Sequence, residues 1–289
     1  MSGTNARELG TTKPVPPPAS MHRPALFTNG PCVVGMIHVA ALPGTPNHAL
    51  SLREIIAQAV AEATVYAETG ADALMLENMH DRPYLKGAVG PEIVSTLTTI
   101  AHAVRVAVPG LPCGLQVLAA ANHEALAIAL AADLQFIRAE GFVFGHVADE
   151  GWIDGCAGEL LRYRRQIGAE PIHILTDIKK KHSSHAVTAD VSLVETARAA
   201  EYCVSDGVIV TGSHTGEAAS AEDVRAVSEA VTLPVLVGSG ITPENAHRYT
   251  CADAFIVGSW MKESGDWRQA VDCRRVEAMV AAAAVLRAK

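Results

Sequence analysis

The feature that most constrains this chain is an alternation that repeats eight times. Short apolar runs recur as "CVVGMIHV" (32–39), "DALMLEN" (72–78), "CGLQVLA" (113–119), "QFIRAE" (135–140), "IHILTDI" (172–178), "DGVIVTG" (206–212), "PVLVGSG" (234–240) and "DAFIVGS" (253–259). Runs this short and this continuously apolar read as strands covered on both faces. Helical patterns separate them. "SLREIIAQAVAEATVYAETG" opens on Ser51 as a cap, carries Glu54 at the capping-box position and stops at Gly70. "GPEIVSTLTTIAHAV" has Pro91 in its first turn, and "TPENAHRY" offers Thr242 as a cap followed by Pro243. "TADVSLVETARAAEYC" and "SAEDVRAVSEAV" carry further cap signals. Eight β–α units in roughly 255 residues predict an α/β fold, the (βα)8 TIM barrel. An open doubly wound sheet would need a glycine-rich dinucleotide turn after the first strand. "VVGMIHVAALPG" contains no G-x-G-x-x-G.

Composition narrows the partners. The chain has 289 residues and a net charge of −8, with no basic stripe interleaved with aromatics, so nucleic acid is not an expected partner. No run of about 18 apolar residues occurs, so no membrane span is expected. Cys32, Cys113, Cys156, Cys203, Cys251 and Cys273 form no C-x-x-C pair and read as reduced thiols of an intracellular protein. Residues 1–30 include the proline-rich "TTKPVPPPAS" and read as a flexible extension ahead of a single barrel domain at 31–289. The cytoplasm is the expected compartment. A mitochondrial address in residues 1–30 is the alternative, although they show no amphipathic arginine-rich helix. Assembly into a homo-oligomer is the base-rate expectation.

In such a barrel, chemistry sits at the C-terminal strand ends and the loops after them. The turns after the seventh and eighth strands are the clearest local signal. Gly238, Ser239, Gly240, Gly258 and Ser259, with Gly212 after the sixth strand, suit a phosphate or other anion. Glycines let backbone N–H groups approach an anion, and serines add hydroxyl donors. The plainer alternative is tight βα turns that need glycine. "TDIKKKHSSH" (176–185) follows the fifth strand. There Asp177 is a candidate general base or metal ligand, and Lys179 a candidate phosphate cation, acid or Schiff-base amine. Lys180, Lys181, His182 and His185 are secondary candidates, and the outer lysines are expected to be solvated. Glu77 ends the second strand and is expected to face the mouth or to pair with Arg138. A divalent metal ion is a candidate cofactor, shared by Glu77, Glu140 and Asp177 with His38 or His214, although no fixed spacing supports it. His38 reads equally well as a satisfied polar group in the upper barrel. The segment "GFVFGHVADEGWIDG" (141–155) is too long for a plain βα turn and reads as a lid or a subunit contact.

The stretches "GMIHVAALPGTP", "DALMLENMHDRPYLKGAVGPE", "FIRAEGFVFGHVADEGWIDGCAGELLRYRRQIGAE", "DIKKKHSSHAVTADVSLVETARAAE", "SDGVIVTGSHTGEAASAEDV" and "VGSGITPENAHRYTCADAFIVGS" resemble the BtpA family, from about residue 31 to the end. The resemblance implies a ribulose-phosphate-binding type of barrel. It implies little about activity, since the family takes its name from a cyanobacterial member needed for photosystem I, and other members occur in non-photosynthetic organisms. Prokaryotic members end their third strand in "NVLRND" and their fourth in "RVN". Here those positions read "QVLAAA" (116–121) and "RAE" (138–140), so alanines stand at 119 and 121 and the chain resembles the eukaryotic branch. The expected function is an enzyme acting on a small phosphorylated metabolite, of sugar phosphate or nucleotide type, as a lyase, isomerase or hydrolase. A non-catalytic assembly factor and a metabolite sensor are the alternatives, because fold alone does not decide function.

Overall fold

The computed structural model describes residues 25–27, 30–212 and 217–288. Most of the extension expected at 1–30, and all of His214, lie outside the described residues. Eleven strands are described: β1 Cys32–His38, β2 Ala73–Glu77, β3 Cys113–Gln116, β4 Phe136–Ala139, β5 His146–Ala148, β6 Gly151–Ile153, β7 His173–Asp177, β8 Ser183–Ser184, β9 Gly207–Thr211, β10 Val235–Gly238 and β11 Ala254–Val257. Eight of them close a barrel in the order β1-β11-β10-β9-β7-β4-β3-β2, parallel throughout. All eight expected strands are present, trimmed by one to three residues at their ends.

Two apolar layers follow from the period of two along each strand. Val34, Met36, Met75, Phe136, Leu175, Ile209, Leu236 and Ile256 fill the barrel interior. Their neighbours Val33, Leu74, Leu115, Ile137, Ile174, Val208, Val235 and Phe255 pack outward against the helices. Gly114 on β3 is needed because a Cβ there would lie 2.1 Å from the Phe136 ring, which occupies the barrel axis instead.

The helices are α1 Leu52–Glu68, α2 Pro91–Ala107, α3 Asn122–Ala131, α4 Ala157–Gln166, α5 Leu193–Tyr202, α6 Ala221–Ala230 and α7 Cys273–Arg287. Ser51 and Glu54 form the expected capping box, and Ser192 with Glu195 forms a second one. The helix expected from "TPENAHRY" is not α-helical. A single 3-10 turn, Ala246–Arg248, takes its place. Thr242 is not its cap. The Asn245 side chain instead accepts from the Thr242 N–H and donates to the Gly240 carbonyl, closing a local turn. That turn is enough to bury Tyr249, whose hydroxyl donates to the Ala219 carbonyl at 2.7 Å.

The 141–155 segment is not structureless. β5 and β6 form an antiparallel hairpin, and β8 from the lysine loop pairs with β5 to make a three-stranded sheet. Two successive loops are thereby tied together above the barrel.

At the opposite end of the barrel, Asp206 accepts from the Ile174 N–H at 2.8 Å and from Arg164 at 2.6 Å, all three groups being buried. Asp206→Ala leaves the guanidinium and the amide unpaired and is expected to cost about 3 kcal/mol. A urea titration against the wild type checks this.

Candidate functional site

Strand alternation carries one inward position to the top of each barrel strand: His38, Glu77, Gln116, Arg138, Asp177, Thr211, Gly238 and, one residue past β11, Gly258. The register sets His38 beside Glu77 and Glu77 beside Gln116. Six of these eight residues are polar, above a layer that is wholly apolar. Over them opens a cavity of about 480 Å³, lined by His38, Glu77, Gln116, Arg138, Lys180, Lys181 and Ser239 among others. The candidate site is therefore where a barrel of this kind keeps its chemistry.

Arg138 and Asp177 form a buried two-pronged pair. Arg138 Nε donates to Asp177 Oδ2 and Nη2 to Oδ1, both at 2.8 Å. Their side chains are 7% and 1% exposed. Both Asp177 oxygens are thus engaged, and Asp177 does not line the cavity. The carboxylate expected as a base or metal ligand is thus bound on both oxygens by the Arg138 guanidinium. Glu77 faces the mouth, as one of its two expectations had it.

The lysine run is arranged in the opposite sense to the expected one. Lys179 turns aside and donates to the Thr188 carbonyl at 2.9 Å. Lys180 and Lys181, expected to be solvated, line the cavity. Lys180 lies 3.3 Å from Glu140, and Lys181 donates to Ser239 Oγ at 2.9 Å. The reason lies in the backbone. Lys179 and His182 adopt left-handed conformations, with φ of 47° and 54°, and Ser183–Ser184 is pinned to β5. Position along the strand therefore does not tell which lysine faces in.

The expected carboxylate metal site is not assembled. Among the described residues, no group of three or more His, Cys, Asp or Glu side chains stands close enough to hold an ion. Arg138, Lys180 and Lys181 are interleaved with the three carboxylates, and Glu140 also accepts from the Ala120 N–H at 3.1 Å. His214 lies outside the described residues.

Ser239, Gly240, Gly258 and Ser259 line the cavity, whereas Gly212 and Gly238 do not. A Cβ on Gly212 would lie 2.3 Å from the Glu217 carbonyl oxygen, so at Gly212 the plain packing reason holds. Gly240 has φ +64°, and its Cβ would lie 2.4 Å from the Ala218 nitrogen. Ser239 carries a left-handed φ of 72°, which a serine adopts only when its surroundings impose it. One cavity residue, Trp267, could not be found from the sequence pattern. It comes from the segment between β11 and α7, and Arg82, from the loop after β2 where mouth residues are expected, lies over its ring, 4.8 Å from the centroid. Only distant packing brings Trp267 to the mouth.

The model of the BtpA family matches residues 29–285. The chain belongs to the BtpA family. An uncharacterised protein of Caenorhabditis elegans, mitochondrial by its name, is 51% identical over 255 residues, covering 87% of this chain and 92% of that protein. The photosystem I biogenesis protein BtpA of Synechocystis is 35% identical over 254 residues, covering 87% of this chain and 88% of that protein. Among solved structures, phosphoribosyl anthranilate isomerase of Thermus thermophilus superposes with a TM-score of 0.53 at 16% identity, covering 88% of this chain and 99% of that one. Orotidine 5′-monophosphate decarboxylase of Methanocaldococcus jannaschii, in complex with an inhibitor, gives a TM-score of 0.55 at 12% identity over 88% and 99% of the two chains. At such identities the likeness shows the barrel fold. Among the described residues of this BtpA-family barrel, no helix is long and apolar enough to cross a membrane.

Two features of this member shape the mouth. Ala119, where the resemblance leads one to expect arginine, lines the cavity, and Ala121 is buried. The turn of the β5–β6 hairpin brings Asp149 and Glu150 to the opposite side of the same cavity, while Phe144, Val147 and Trp152 are exposed.

His38 and Glu77 stand side by side at the base of the site. His38 Nδ1 lies 2.9 Å from the Trp267 carbonyl, which can only accept, so Nδ1 carries the proton and Nε2 offers a lone pair. Burial, helped by the nearby Lys262 charge, pushes the His38 pKa down to about 3. Burial raises that of Glu77, against the opposing pull of Arg138 and Lys181. Glu77 Oε2 lies 3.9 Å from His38 Nε2, beyond direct hydrogen-bond length. A histidine with a lowered folded pKa stabilises fully above its ordinary value of 6.5, and that stability is lost as pH falls toward about 3. The raised Glu77 pKa acts oppositely: its contribution is present below 4.5 and is lost as pH rises through the folded value. Urea titrations at pH 7, 6 and 5 are expected to show wild-type stability falling more steeply with acid than that of His38→Asn. Imidazole NMR is expected to show His38 as the neutral Nδ1–H tautomer throughout.

Proposed function

We propose that this protein is an enzyme that acts on a small phosphorylated metabolite by proton transfer at the barrel mouth. The observation that carries the proposal is the joining, in one cavity, of a lysine–serine turn suited to an anion and a carboxyl–imidazole pair suited to moving a proton. Lys181, with Ser239, Gly240, Gly258 and Ser259, would hold the phosphate. Glu77 would act as general acid and base, since a carboxyl with a raised pKa keeps its proton closer to neutral pH. His38 Nε2 would accept a proton or a hydroxyl hydrogen bond. Arg138, held rigid by Asp177, would stabilise negative charge as it develops. Lyase, isomerase and hydrolase chemistry all need such a set. Two of the structural neighbours carry phosphoribosyl and 5′-monophosphate in their names, which supports a phosphorylated ligand by analogy of fold. The six free cysteines support a reducing, intracellular setting, in the cytoplasm or in mitochondria as named for the C. elegans relative.

A second reading, an assembly scaffold, is favoured by one observation: Phe144, Val147 and Trp152 present an exposed apolar face on the hairpin. Self-association through that face would make the protein a homo-oligomer, which light scattering reads directly.

A thermal-shift screen of phosphorylated metabolites, each with and without Mg²⁺, Mn²⁺ or Zn²⁺, tests the enzyme reading. A ligand at about 100 times its Kd adds about 2.7 kcal/mol of stability. Lys181→Ala is expected to lose most of that gain while melting close to the wild type without ligand. Glu77→Gln is expected to keep binding and to lose turnover. Binding without turnover in the wild type would instead make the protein a sensor. A folded sample stabilised by none of the compounds would move the assignment to the scaffold.

A further inference from the structure

We infer that the phosphorylated ligand is a sugar or polyol phosphate, and that Gln116 and Glu150 hold its hydroxyl groups. The inference rests on the phosphate-site reading above and specifies the rest of the molecule. Gln116 stands at the end of β3 and is 2% exposed, yet its Oε1 has no hydrogen-bond partner. Glu150 stands in the turn of the β5–β6 hairpin, and its Oε2 is likewise buried without a partner. Both residues line the one cavity of about 480 Å³, one from the barrel end and one from the hairpin above it.

Both orphaned atoms are acceptors. In solution, water supplies the missing donors. A ligand that fills the cavity displaces that water and must donate in its place, or leave buried acceptors unmatched at a cost that rejects it. A phosphate dianion has acceptors only and cannot do this. The donors must come from the remainder of the molecule, at two well-separated positions. Hydroxyl groups fit best. A hydroxyl both donates and accepts, as the Gln116 carboxamide does, and it suits the acceptor-only Glu150 carboxylate equally well.

A nucleobase would also bring donors, but it needs a face to stack on. The two tryptophans of the cavity are already engaged. Trp267 carries Arg82 at 4.8 Å and His80 at 4.8 Å, and Trp260 carries Arg275 at 4.6 Å. The cavity therefore presents hydrogen-bonding atoms more readily than a free aromatic platform.

The test is a calorimetric binding series on the full chain. The probes are inorganic phosphate, glycerol 1-phosphate, pentose 5-phosphates, hexose 6-phosphates, 2-deoxyribose 5-phosphate and a nucleoside monophosphate. At least one sugar or polyol phosphate is expected to bind about tenfold or more tighter than inorganic phosphate, and tighter than a deoxy counterpart. Gln116→Leu is expected to remove most of that advantage while leaving the affinity for inorganic phosphate unchanged. Glu150→Leu is expected to reduce it. Melting of each unliganded variant controls for folding. Sugar phosphates that bind no tighter than inorganic phosphate would overturn the hydroxyl inference and leave the phosphate site standing. So would a nucleoside monophosphate that binds tightest with its affinity untouched by Gln116→Leu. Failure of every probe, inorganic phosphate included, would overturn the phosphate site itself.

Discussion

Closing eight parallel strands into a barrel turns alternate side chains of every strand inward, and nearly everything at the mouth follows from that. The layer at Met36, Met75, Phe136, Leu175, Ile209, Leu236 and Ile256 is apolar and packed. Two residues further along the same strands, the inward positions become His38, Glu77, Gln116, Arg138, Asp177 and Thr211. The change from apolar to polar within one layer marks where the packed core ends and the cavity begins. No loop needs to be invoked to bring these groups together. Strand register does it, and it holds them on the stiffest part of the fold.

The cost of placing charges there is met by pairing. Arg138 is neutralised by Asp177 through two parallel hydrogen bonds, and Lys180 stands against Glu140. Burying these groups singly would be far more unfavourable than burying them as pairs. Pairing also sets roles. Both Asp177 oxygens are occupied by the guanidinium, and the pair fixes the orientation of Arg138. Glu77 has no comparable partner, and burial keeps its carboxyl closer to neutrality. Asp177 on β7 and Glu77 on β2 thus differ in their surroundings, since one has an arginine fork and the other faces a neutral imidazole.

The lysine loop shows how a small sheet outside the barrel can decide the chemistry inside it. Ser183–Ser184 pairs with β5, and the left-handed backbone at Lys179 and His182 turns the run over. Lys181 reaches Ser239 on β10's turn, while Lys179 is tied to its own loop at Thr188. The hairpin that pins the loop also brings Glu150 to the cavity. The hairpin, the lysine run and the anion turns therefore form one unit, so a change in the hairpin reaches the site without touching the barrel.

The eightfold alternation, the Ser51–Glu54 capping box and the mouth positions of Glu77, Arg138 and His38 were legible in the sequence. Each depends on local periodicity or on a strand end, and periodicity of two survives any tertiary arrangement that keeps the strand. Local signals misjudged "TPENAHRY", where the Asn245 side chain closes a turn in competition with a helix. They also could not choose among three adjacent lysines, since a loop lacks the fixed alternation that points a strand residue inward. Trp267 and Arg82 meet only because a segment after the last strand folds back over the loop after the second. By itself, then, the sequence determined the barrel and the side chains offered at each strand end. Tertiary structure decided which of them stay free for a ligand, because pairing and orphaning of buried polar groups depend on neighbours far away in the chain.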